Sequence, residues 1–207
     1  MHKREIQKKY VIIFPFIIIL GAGLMFFSTQ TDEGIALIKK TRDIFVPHKQ
    51  ITQNVEGNNE ITDVILQEGK EAEYVIYIDE ERYKFARGEK LDVVTTKELL
   101  EEKYPEVSMT IEQFKNISPQ EMVDTLETKL AAEYTKISET EFVTEPVEGF
   151  MLHGISGSKW NSPVTNVYVI DNKNGGSFVI TEKYFLEASE GHGARFNSML
   201  KQFKIIE

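Results

Sequence analysis

The side chains best suited to chemistry lie in one short stretch, Glu187-Ala-Ser-Glu190-Gly-His192-Gly-Ala-Arg195. It holds two carboxylates, an imidazole and a guanidinium, with a glycine on each side of the histidine. At a helix start, such glycines could offer backbone N–H groups to an anion or to a partner's carboxylate. The same residues also suit a strand-to-helix turn whose glycines supply conformational freedom and whose acids complement the helix N-terminus. A metal centre would have to join His153 and His192 to Glu187 or Glu190, yet the chain has no H-E-x-x-H or comparable ligand spacing. His153 reads as a strand histidine with one hydrogen-bonded nitrogen. Gly154-Ile-Ser156-Gly157-Ser158 misses the G-x-S-x-G spacing of a nucleophile turn. Trp160, the single tryptophan, stands in a polar loop, where an exposed ring is a binding hot spot or else folds back to cap the sheet. These residues predict no catalytic centre, no metal site and no cofactor; Trp160, Glu187, Glu190, His192 and Arg195 are the candidate binding residues.

The elements that must position them are a β-meander and a closing helix. Three apolar-rich runs, Phe150–Ile155, Val164–Ile170 and Ser177–Phe185, are separated by Gly, Asn, Ser, Pro and Asp clusters. Asn174-Gly175 between the last two suits a tight hairpin turn. An amphipathic helix is expected over roughly 194–203. Earlier in the chain, Ser118-Pro119-Gln120-Glu121 predicts a capping box with proline at the first helical position. A helix of about 18 residues should follow, burying Met122, Leu126, Leu130 and Tyr134. Ile61–Leu66, Tyr74–Ile78, Tyr83–Ala86, Val107–Phe114 and Glu141–Val147 read as strands, with a turn at Asp79-Glu-Glu81 and one or two helical turns at Lys97–Lys103. Strands, helix, four strands, helix is the order of an α+β domain, a mainly antiparallel sheet packed with two main helices.

Charge and hydropathy place this domain in the cell. The formal net charge is −9, yet residues 1–9 carry Lys3, Arg4, Lys8 and Lys9 against Glu5, a local +3 that leaves −12 for the rest. A body this acidic argues against nucleic acid, which is held by clustered Lys and Arg. Tyr10–Phe27 has no charged residue and at about 1.5 Å per residue nearly matches a bilayer core of roughly 30 Å. With the basic flank before it and Asp32-Glu33 after it, the run predicts a membrane anchor with a cytoplasmic N-terminus. A cleaved signal peptide is the competing reading; the run exceeds the usual apolar region and no clean small-x-small site follows it. The organisation expected is a basic tail at 1–9, a transmembrane anchor at 10–28, a juxtamembrane tether at 29–59 and an exported domain at 60–207. Cysteine is absent, so neither disulfides nor thiol catalysis enter.

The opening run Tyr74-Val-Ile-Tyr-Ile-Asp-Glu-Glu-Arg-Tyr-Lys-Phe85, the capped helix, the Gly149-Phe-Met-Leu-His-Gly154 strand and the closing Met199-Leu-Lys-Gln-Phe-Lys-Ile-Ile206 together resemble the PsbP/Mog1-like superfamily over residues 73–206. Where those relatives begin with a Pro-Gly-x-Trp-type turn, this chain has Asp79-Glu-Glu81. The resemblance implies an α/β/α sandwich and an accessory or scaffold-like role without catalytic residues. The expected function is a single-pass, extracytoplasmic protein-binding or accessory domain of an envelope complex, with a protein partner. The alternative is a small-molecule or lipid-binding sensor domain with a pocket between sheet and helices, and a metal-dependent hydrolase stands third.

Overall fold

In the computed structural model, which describes residues 46–69, 73–98, 100–101 and 103–206, β-strands carry the architecture. Strands hold 47% of the described residues and helices 19%, so the expected α+β domain with two main helices, the PsbP/Mog1-like α/β/α sandwich, is corrected to a mostly antiparallel β structure with two short helices. The expected anchor and basic tail lie outside the described residues. No helix among the described residues is long and apolar enough to cross a membrane.

Two sheets form within the unit Pro47–Glu207. The smaller has the order β1 (His48–Val55), β2 (Asn58–Glu68), β3 (Tyr74–Ile78), β12 (Lys204–Ile205). The larger runs β4 (Tyr83–Ala86), β5 (Leu91–Thr96), β6 (Ser108–Phe114), β11 (Ser177–Phe185), β10 (Pro163–Asp171), β9 (Gly149–Ile155), β7 (Lys136–Ile137), with β8 (Glu141–Val143) also pairing with β9. Every pairing is antiparallel. The sheet thus begins at His48, inside the stretch expected as tether. Polar residues hid it: the inward positions of β1 include Gln53, whose Nε2 donates to Thr62 Oγ1 at 2.7 Å. Glu56 and Gly57 close this hairpin with φ of 53° and 78°, the paired positive angles of a two-residue turn.

Tyr74–Ile78 and Tyr83–Ala86 are strands at the expected residues, but they do not pair with one another. The chain crosses from the small sheet to the large one at Asp79, whose Oδ1 accepts from the backbone N–H groups of Glu81 and Arg82. All five residues of β3 are buried, so it reads as a continuous apolar run rather than an alternating one.

Alternation along β9, β10 and β11 then divides the interior in two. One face of the large sheet presents Leu152, Val167, Val169 and Val179 to α1 (Pro119–Glu133), which lays Met122, Val123 and Leu130 on them. The capping box is formed as expected: Glu121 Oε2 accepts from Ser118 N at 3.1 Å and Ser118 Oγ accepts from Glu121 N. The helix stops at Glu133, and Tyr134 turns extended and packs against Gly154, where a Cβ would come within 2.8 Å of its ring. The other face presents Val164, Tyr168, Ile170, Phe178 and Ile180 to β3 and to α2 (Ala194–Leu200), which inserts Phe196, Met199 and Leu200. A π-type turn, Ser189–Gly193, leads into the closing helix, which is only seven residues long because the chain leaves it after Leu200 for a turn into β12.

Candidate functional site

The stretch richest in chemical side chains does not converge on one point. Trp160 is 44% exposed and stands edge-on to Tyr104 and Phe185, with ring centroids 5.5 and 6.2 Å away. Its carbonyl accepts from Glu187 N at 2.9 Å, so these two sit together through backbone, while the Glu187 and Glu190 residues are exposed. His192 and Arg195 instead face a second cavity, about 400 Å³, with Glu81, Arg82 and Glu98. There Tyr83 Oη lies 2.7 Å from His192 Nδ1, and Arg195 Nη2 donates to both carboxylate oxygens of Glu60 at 3.2 and 3.1 Å. Burial, and then the neighbouring Arg195 charge, lower the His192 pKa. This cavity is no anion site: Arg82 is engaged by Asp79 at 3.0 Å, and Asp79, Glu60, Glu81 and Glu98 outnumber the two arginines.

The glycines of this stretch also have a different reason from the one expected. Gly193 has φ −60°, an ordinary helical angle open to any residue. What it supplies is room, because a Cβ there would meet the Tyr184 ring at 3.1 Å and its hydroxyl at 3.3 Å. The turn into α2 therefore lies directly over Tyr184.

Under that turn is a site the sequence does not announce. Antiparallel register places His153 of β9 opposite Asn166 of β10, and Asn166 opposite Glu182 of β11. They form a polar row among apolar neighbours on the inward face. Asn166 Nδ2 donates to Glu182 Oε2 at 3.1 Å and to Tyr184 Oη at 2.8 Å. With both amide hydrogens used, Asn166 Oδ1 is left to accept, so the 2.8 Å contact with His153 is a bond donated by His153 Nδ1. Glu182 is 1% exposed, and its Oε1 is buried with no hydrogen-bond partner. Loss of hydration pushes its carboxyl pKa up to about 8, opposed by the bond from Asn166. Burial, with Glu182 beside it, also pushes Tyr184 up to about 12.

Glu182 and Tyr184 form part of the wall of a polar cavity of about 430 Å³, which Asn197 and Ser198 of α2, Lys201 just after it and Asn54 of β1 help to complete. Lys201 Nζ pairs at 3.0 Å with Glu145. The other fully buried carboxylates among the described residues are satisfied at both oxygens. Asp79 takes two backbone N–H groups and Arg82; Asp92 takes the Tyr74 hydroxyl at 2.6 Å and Gly88 N. Glu182 is the exception, and leaving a buried acceptor unfilled costs about 1–3 kcal/mol or more.

The sequence marks His153 as a strand histidine with one hydrogen-bonded nitrogen, in preference to a metal ligand, and does not single out Asn166, Glu182 and Tyr184. The signal was present in the alternation: Val164, Tyr168 and Ile170 share an inward face with Asn166, and Phe178 and Ile180 share it with Glu182. A polar residue breaking each apolar face becomes a site only once register aligns the two. Among the described residues no group of three His, Asp or Glu is placed to hold a metal ion. Compared with known protein families and with curated proteins, the chain matches none.

Proposed function

We propose that the chain is a non-catalytic binding domain, carried outside the cytoplasm on its N-terminal anchor, that holds a small polar ligand in the cleft between β10, β11 and α2. The observation that carries this is Glu182: a fully buried carboxyl with one unfilled oxygen, in the wall of a cavity of about 430 Å³. That volume falls in the range of small-molecule sites, roughly 300–1,000 Å³, and convergent polar groups are what such sites use to orient a ligand. The cleft is flanked by two sheets and a helix, so the ligand would be read by fixed elements rather than by loops. A fragment screen by NMR on the full-length chain tests it. Ligands should perturb Asn166, Glu182, Tyr184 and Asn197 together; perturbations confined to other surfaces would remove the reading. Protease added to intact cells should remove the domain, and full protection would sink the topology.

A second reading, a protein-binding accessory domain, is favoured by Trp160. Its ring is held by Tyr104 and Phe185 while still 44% exposed, which gives a partner a rigid aromatic edge at little entropic cost. Trp160→Ala would then weaken capture of a protein partner and leave the cleft ligand unaffected. Loss of ligand binding in that variant would show that the two sites are coupled.

A further inference from the structure

We propose that the cleft ligand bears a primary ammonium group, which donates to the unfilled Oε1 of Glu182 while the Tyr184 hydroxyl and the Asn197 amide take its remaining polar atoms. This rests on the reading of the cleft as a ligand site. Within the row, the Asn166 amide cannot turn to serve Oε1. Both N–H groups of Asn166 are committed, to Glu182 Oε2 and Tyr184 Oη, and its Oδ1 holds His153. Glu182 lines the cleft, so a ligand there is the source of the donor proposed for Oε1.

Charge selects the kind of donor. The titratable groups facing Glu182 are Tyr168 on β10, Tyr184 on β11, His153 on β9 behind Asn166, and Lys201, just past α2, on the cavity wall. Lys201, the lysine of this set, is engaged at 3.0 Å by Glu145. The cleft thus holds a carboxyl with no countercharge. Left alone, the carboxyl keeps its proton at neutral pH, since burial has moved its pKa to about 8. An ammonium group placed against it favours the carboxylate, and the balance is plain: the carboxyl O–H breaks, one proton leaves to solvent, and an ammonium–carboxylate pair remains. A hydroxyl in the same place has no such effect and releases no proton.

Calorimetric titration of the full-length chain separates the possibilities. Two probe pairs differ only by ammonium against hydroxyl: 4-aminobutanol with 1,4-butanediol, and trans-4-aminocyclohexanol with trans-1,4-cyclohexanediol. Both amines stay protonated throughout, having pKa values near that of lysine, about 10.4. At pH 7, in two buffers of different ionisation heat, each amine should bind at least about tenfold more tightly than its diol and release close to one proton. Between pH 6 and pH 8 the ionised fraction of Glu182 rises, so amine affinity should rise at least about tenfold. Glu182→Gln, which keeps the shape and should melt cooperatively, should lose both the preference and the proton release. Equal binding of amine and diol without proton release would overturn the ammonium assignment and leave the cleft standing. Binding of neither partner, with Glu182 unperturbed, would overturn both and assign Oε1 to a buried water.

Discussion

The two faces of the large sheet are built from the same strands and solve burial in opposite ways. Under α1 the sheet offers Leu152, Val167, Val169 and Val179, with no titratable group among them, and the helix fills the space with Met122, Val123 and Leu130. Under α2 the same β10 and β11 place Asn166, Glu182 and Tyr184 among Val164, Tyr168 and Ile180. The first face gains stability from area and shape alone. The second accepts a buried carboxyl whose ionisation is opposed by its surroundings and whose Oε1 is unfilled. Nothing in packing requires that, because an apolar residue of similar volume would serve the core at least as well. The apolar packing of the sheet is thus interrupted at residue 182, not in the turn that follows.

The largest effects should come from attacking each face by its own logic. Leu130→Ala removes part of the α1 face and should cost about 2–5 kcal/mol, read by denaturant unfolding, with no dependence on pH. Glu182 acts through pH. Its folded-state pKa lies above the ordinary value of 4.5 and near 8, so the native state holds the extra proton across that window. Stability should be greatest at the acid end of the window, decline as pH rises through it, and level off above about pH 8, a loss of several kcal/mol at about 1.4 kcal/mol per pKa unit. In Glu182→Gln this part of the decline should vanish. An unchanged pH profile in that variant would mean that Glu182 is not the group that titrates.

Smaller effects sharpen the picture at the borders of the two faces. Gly154→Ala would push a Cβ to within 2.8 Å of the Tyr134 ring and should cost about 1–3 kcal/mol through strain at the end of α1. Gly193→Ala meets Tyr184 at the gentler distance of 3.1 Å. It should change stability less than Gly154→Ala while weakening cleft binding, because the ring it moves lines the cleft. Ser118→Ala should cost about 1 kcal/mol by loss of the cap and leave both the pH profile and binding as they were.

The α1 face was legible in the sequence because its signals are local. Ser118-Pro119-Gln120-Glu121 forms the cap within four residues, and the apolar stripe repeats along one helix. The meander strands were legible for the same reason, since alternation and turn residues lie within each run. The N-terminal hairpin was not. Gln53 and Thr62 satisfy each other inside it, so the inward face of β1 lacks the apolar pattern that marks a strand. The partition into two sheets was equally hidden, because the chain crosses between them at Asp79 by a turn that would also suit a hairpin. The second helix was overestimated because Phe196, Met199 and Phe203 share a stripe, while the residues after Leu200 leave the helix for a turn into β12. The site lay deepest. His153, Asn166 and Glu182 are separated by 13 and 16 positions, and only antiparallel register, a long-range property, draws them into one row.

The most direct test of the account is the titration of Glu182 itself, followed through its side-chain carboxyl carbon by NMR in the free protein. The account predicts a midpoint near 8, moving well below neutrality when an ammonium ligand occupies the cleft. A midpoint in the ordinary carboxylate range, about 4.3, would contradict it, since the carboxyl would then be solvated and the cleft would have no unfilled oxygen to offer.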